Sequence, residues 1–181
     1  MIQLTFIHKF KRCNQYMLFL CVLVTLAGLS ACQPKEINLP FETIEQRDAS
    51  GTGQIYKDKQ PGLIVIPTLE KVANLDALVT SEAQARLQSL NYDAYFVIAV
   101  FQGWKPTDGY DIQVERITHL GEKVTVFVRL QEPPPDRKKN DIVTSPYHLV
   151  QVQKVGTWAR DVTFNVVVNG TVIASVSHNI P

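Results

Sequence analysis

Catalysis or metal binding in this 181-residue chain would have to come from a short list of side chains. The histidines are His8, His119, His148 and His178. They are scattered, without H-E-x-x-H spacing and without neighbouring cysteines, so no metal site is expected. Asp93, Asp108 and Asp111 are the acids that could pair for acid–base work. Asp93 and Asp108 suit local caps and turns instead. No G-x-S-x-G elbow supplies a nucleophile. Expected, therefore, are no enzyme, no cofactor and no small-molecule substrate. His119 is placed in a hairpin turn and His178 near the terminus, both solvated.

The cysteines are more informative. Cys13 and Cys21 lie within a leader, in which His8, Lys9, Lys11 and Arg12 precede an apolar run from Tyr16 to Ala31. A basic start, an apolar core and small closing residues describe a secretory signal, and the run is short for a span. Cys32 is then the one thiol left in the exported part. Leu29-Ser30-Ala31-Cys32 resembles the bacterial lipobox. That resemblance implies cleavage before Cys32, a diacylglyceryl thioether on its sulfur, and acylation of the new amino terminus. Three acyl chains hold a protein to a bilayer far more firmly than the one that binds reversibly. Gln33 after the cysteine implies the outer membrane if the source is Gram-negative.

Loss of residues 1–31 removes Lys9, Lys11 and Arg12 from the 18 Lys+Arg and none of the 17 Asp+Glu, leaving 15 − 17 = −2. That balance does not favour polyanion binding, which wants a basic face, so nucleic acid is not an expected partner.

Three parts are expected: a signal peptide at 1–31, a lipidated polar tether at 32–40 ("CQPKEINLP"), and a folded domain at 41–181. "FETIEQR" (41–47) alternates weakly and "GLIVIP" (62–67) is a buried strand. "DASGTGQ" (48–54) is a loop without the lysine of a phosphate cradle. Thr68 is placed to cap a short helix burying Leu69, Val72, Leu75 and Val79. Ser81 with Gln84 suggests a capping box for a second, which buries Ala83, Leu87 and Leu90 and stops at Asn91. "AYFVIAVF" (94–101) is continuous and apolar, as for a central strand covered on both faces. "YDIQVERI" (110–117) puts Ile112 and Val114 inward, and "KVTVFVRLQE" and "YHLVQVQKV" follow. Asn169-Gly170 is a hairpin turn joining Val162, Phe164, Val166 and Val168 to Val172, Ala174 and Val176. The expected fold is α+β: a mainly antiparallel sheet of six or seven strands, with two short helices grouped before the central strand.

Two loops could carry recognition. "FQGWKPTDGY" (101–110) has Gly103, Pro106 and Asp108-Gly109 for turning, with Trp104 and Tyr110 flanking the reversal. In "SPYHL" (145–149), Pro146 sets an extended entry to a strand. The order of these motifs, Gly103, Pro106, Thr107, Gly109 and Tyr110 followed by Pro146, Tyr147 and His148, resembles the C-terminal domain of the PrcB protease-complex subunits over 94–154. The resemblance implies a non-enzymatic lipoprotein that binds or scaffolds a protein, a protease being the partner suggested by the family name. These residues and Trp104 are the contact candidates.

P-T-x-G-Y also resembles one loop of chagasin-type cysteine-protease inhibitors, which gives an alternative function. Lys105 stands where that motif has asparagine, and the inhibitors' other two loops are missing. "PPPDRKKND" (133–141) is an extended, locally basic connection, taken as solvated.

Overall fold

Among the described residues, alternating and continuous apolar runs become nine strands, and the way they divide between sheets decides where the loop and strand candidates go. The computed structural model describes residues 35–50, 55–136 and 138–181. Cys32 and the leader lie outside the described residues, as do 51–54 of the expected glycine loop. No helix among the described residues is long and apolar enough to cross a membrane.

In chain order the elements are β1 (Ile37–Asn38), β2 (Phe41–Arg47), β3 (Gly62–Ile66), a 3₁₀ helix (Leu69–Leu75) and α1 (Ser81–Ser89). Then come β4 (Tyr95–Phe101), β5 (Asp111–Leu120), β6 (Lys123–Gln131), β7 (Tyr147–Gln153), β8 (Val162–Val168) and β9 (Thr171–His178). One sheet has the order β1-β5-β6-β8-β9 and the other β2-β7-β4-β3. All neighbours are antiparallel except β6 and β8, which run parallel.

The two sheets face one another. Phe96, Ile98 and Val100 of β4 and Val150 and Val152 of β7 pack against Ile112, Ile117, Val124, Val126 and Phe164. The opposite face of the four-stranded sheet, with Val97, Ala99, Phe101, Tyr147 and Leu149, is covered by Val72 and Leu75 of the 3₁₀ helix and Ala83 and Leu87 of α1. Having both faces covered is why β4 carries an unbroken apolar run instead of an alternating one.

The α+β expectation of one sheet with six or seven strands is thus overturned. The described residues are mostly β, in sheets of five and four strands, and the two helical elements among them only cap one face. The pattern of buried residues is the same whether strands lie in one sheet or in two stacked ones, so periodicity did not distinguish them.

Local differences have equally specific causes. Ile37–Asn38 pairs with Thr118–His119 and Leu39 is buried in the inter-sheet core, so part of the expected tether belongs to the fold. The cap of α1 is Thr80, whose Oγ1 accepts from the Ala83 amide at 3.2 Å, not Ser81. A tertiary contact favours this choice, since the same hydroxyl donates to Glu45 at 2.7 Å. Thr68 makes no side-chain cap bond. The helix ends at an extended Leu90 (φ −70, ψ 140), and Asn91 accepts from the Asp93 amide instead of adopting a left-handed stop.

Beside a bulge in β2 between Thr43 and Glu45, two others reset side-chain parity. One between Val114 and Arg116 turns Ile117 and His119 inward. His119 is therefore 4% exposed. Its ring stacks on Trp158 at 4.2 Å, and Nε2 donates to the Gly121 carbonyl at 2.8 Å; it is not a solvated turn residue. The second, opposite Val166–Val167, leaves Val172 51% exposed while Ile173 packs on the core. The Asn169-Gly170 turn forms as expected, with φ of 51° and 80°.

Candidate functional site

The loop that links β4 to β5 is held at several points along its length. Gln102 donates its amide to the Pro146 carbonyl at 2.8 Å and Trp104 donates to Asp58 at 2.7 Å. Lys105 and Thr144 exchange both backbone bonds, at 2.9 and 3.0 Å, as an isolated antiparallel bridge. Farther along, the Thr144 hydroxyl donates to the Thr107 carbonyl at 3.0 Å. The Asp108 carboxylate accepts from the Asn140 amide at 3.0 Å and from its Nδ2 at 2.6 Å. Gly103 is the tight point. Its φ is +86°, and a Cβ there would fall 2.4 Å from the Lys59 carbonyl oxygen, a contact that only glycine avoids. Gly109, also at positive φ (90°), makes the second reversal.

The structure therefore brings Gly103, Trp104, Pro106, Thr107, Gly109, Tyr110 and Pro146 to one end of the sandwich, braced by 58–60 and 140–146. Within this set Pro106 is exposed, Trp104 and Tyr110 are half-buried, and Gly103 and Pro146 are buried. Each large ring carries an ammonium over its face: Lys59 Nζ is 5.7 Å from the Trp104 centroid and Lys105 Nζ is 5.4 Å from that of Tyr110. Exposed pairs of this kind contribute roughly 0.5–1 kcal/mol, enough to bias the rings toward one orientation.

Tyr147 and His148 leave this surface. As adjacent residues on β7 they point to opposite faces, and they are 1% and 2% exposed. Neither is available to a partner. The Tyr147 hydroxyl donates to Glu45, whose carboxylate also accepts from the Thr80 hydroxyl and, at 3.3 Å, from the Thr80 amide. Burial, and then the Glu45 hydrogen bond, push the phenol well above its usual range. Nothing in the sequence singled out Glu45, which sits on a weakly patterned strand, yet it ties β2, β7 and the start of α1 together.

His148 faces the other sheet. Its Nδ1 accepts from the Val114 amide at 2.8 Å, which leaves Nε2 as the protonated nitrogen, donating to Thr43 Oγ1 at 2.8 Å. Burial lowers its pKa to about 4, with Asp111 acting in the opposite direction. With both nitrogens engaged inside the protein, this histidine is a structural bridge and has no free lone pair for proton transfer.

These strands and loops coincide with a known family. Residues 96–153 match the PrcB C-terminal family. The PrcB match covers 58 of the 181 residues, from the second residue of β4 to the last of β7, and contains both loops that carry the motifs. No curated protein and no solved structure matches the chain. Seen in the structure, most PrcB motif residues shape the braced loop and its support, and four of them, Pro106, Thr107, Gly109 and Tyr110, also reach its surface.

Proposed function

We propose that the chain is a non-enzymatic, lipid-anchored subunit of the bacterial cell envelope that docks a protein partner, a protease of a surface complex, through the loop 103–110. The observation that carries this reading is the combination of a rigid backbone with rings left half-exposed. Binding a partner then costs little ordering entropy, and Trp and Tyr are favoured anchors in such positions. The PrcB match supports the protease-complex context. The lipobox-like Leu29-Ser30-Ala31-Cys32 supports export and attachment through Cys32. In the same reading the outer membrane is the destination in a Gram-negative host.

Two measurements test it. Mass spectrometry of the amino-terminal peptide from the natural host should show a cleaved chain beginning at acylated Cys32; an unmodified sulfur or a retained leader rules out the anchor. Affinity capture from native membranes should recover a protein partner with the wild-type chain and lose it with Trp104→Ala and Tyr110→Ala. A capture that survives both substitutions removes the loop from the interface.

A further inference from the structure

Strand register sorts the connections of the sandwich into two ends. Phe101 pairs with Gly62 and with Tyr147, and Asp111 with Gln131. The loop 101–110 therefore shares one end with the approach to β3 and with the connection from β6 to β7. Leu120 pairs with Lys123, Tyr95 with Gln153, and Thr163 with Lys123. These pairs put the turn 120–123, residues 91–94 and the start of β8 at the opposite end. The chain enters the fold at that second end, where β1 sets Ile37 against His119 and Leu39 donates to the Ile117 carbonyl at 2.9 Å.

β5 spans the distance between the ends. From His119, beside the entry of the chain, to Asp111, beside the loop, is about 25 Å at roughly 3.3 Å per residue. The strand pairs with β6 along its length and is tied to the other sheet through His148, so it is a stiff spacer. Cys32 precedes Lys35 by three residues, a span of at most about 11 Å whatever path they take.

We propose that the end formed by 35–37, 91–94 and 120–123 rests on lipid headgroups while the loop 103–110 stands in water, so that its partner meets it through a segment outside the membrane. This rests on the anchor at Cys32 proposed above. An acylated residue so close in sequence to one end holds that end down, and the stiff length of β5 carries the other away. The headgroup layer of one leaflet is about 5–8 Å thick, which a loop about 25 Å farther out clears. The long sides of the sandwich offer a bilayer no competing foothold. The outer face of the five-stranded sheet exposes Arg116 and the Arg129–Glu115 pair, and the helical cover exposes Glu70, Lys71 and Glu82. Among the described residues the exposed large apolar side chains are Leu69, Leu120, Ile142 and Val172. They sit on separate elements and form no patch of the kind that marks a membrane surface. Leu120 is the one at the anchored end.

The test is contact quenching of a thiol-linked fluorophore by a headgroup spin-labelled lipid. The full chain, purified from membranes, is placed in vesicles of phosphatidylethanolamine and phosphatidylglycerol. Glu122→Cys labels the anchored end and Pro106→Cys the loop. Both positions are exposed, and Lys139→Cys, one residue from the Asn140 that binds Asp108, repeats the loop reading should Pro106→Cys fail to fold. Quenching at 122 should exceed that at 106 and at 139 severalfold. Equal quenching at the two ends, or stronger quenching at the loop, overturns this inference alone and leaves the anchor standing. A wild-type chain that takes up label at Cys32, or that does not float with the vesicles, overturns the anchor and this inference with it.

Discussion

The Val114 amide of β5 ends on the imidazole of His148 in β7, 2.8 Å away, so a single side chain joins the two sheets at a bulge. The folded-state pKa of about 4 lies below the ordinary 6.5, which means that the neutral ring is the form the fold stabilises. This contribution is complete above about pH 6.5, is lost as the pH falls toward 4, and levels off below. The interval corresponds to about 3 kcal/mol. Urea unfolding at a series of pH values should show that loss in the wild type. His148→Ala should remove it, and should cost about 3–5 kcal/mol at pH 7 by opening a cavity and leaving the Val114 amide unsatisfied.

Glu45 links two elements through one carboxylate, and deletions should reflect that sharing. Tyr147→Phe removes one donor and should cost about 1–2 kcal/mol, whereas Glu45→Ala also strips Thr80 of an acceptor and should cost more. Their double mutant should fall short of the sum, because both changes delete the same bond. Equilibrium unfolding of the three variants checks this.

Two glycines at positive φ should respond differently to alanine. At Gly170 nothing lies within 4 Å of a new Cβ, so the cost should be the left-handed penalty of about 1–2 kcal/mol. At Gly103 the same penalty is joined by a backbone clash with Lys59. Thermal melts should place Gly103→Ala well below Gly170→Ala.

Inhibition of papain-like proteases is the alternative use of the loop 103–110. The sandwich architecture is compatible with it, but only the P-T-x-G-Y segment matches and Asp108 there is bound to Asn140. The docking account predicts no inhibition by a large molar excess of the protein, measured as residual hydrolysis of a peptide substrate. Tight inhibition would favour the inhibitor.

The strands and the Asn169-Gly170 turn were legible because alternation and positive φ are local properties. Fold class was not, since assignment to one sheet or two depends on contacts between distant segments, including the parallel pairing of β6 with β8. Bulges were equally hidden: one extra residue after Val114 turned His119 from an expected solvated residue into a buried one stacked on Trp158. At the site, the reversals at Gly103 and Gly109 and the placement of Trp104 and Tyr110 could be seen in residue types. The inward fates of Tyr147 and His148 could not, because their partners Glu45 and Val114 lie 102 and 34 residues away.

The docking claim is tested most directly by replacing exposed Pro106 with a photo-crosslinking residue and irradiating native membranes. The account predicts one dominant adduct to a protein partner, lost when Trp104→Ala is added to the same chain. A folded, membrane-bound protein that yields no adduct at that position, or an adduct indifferent to Trp104, would contradict it.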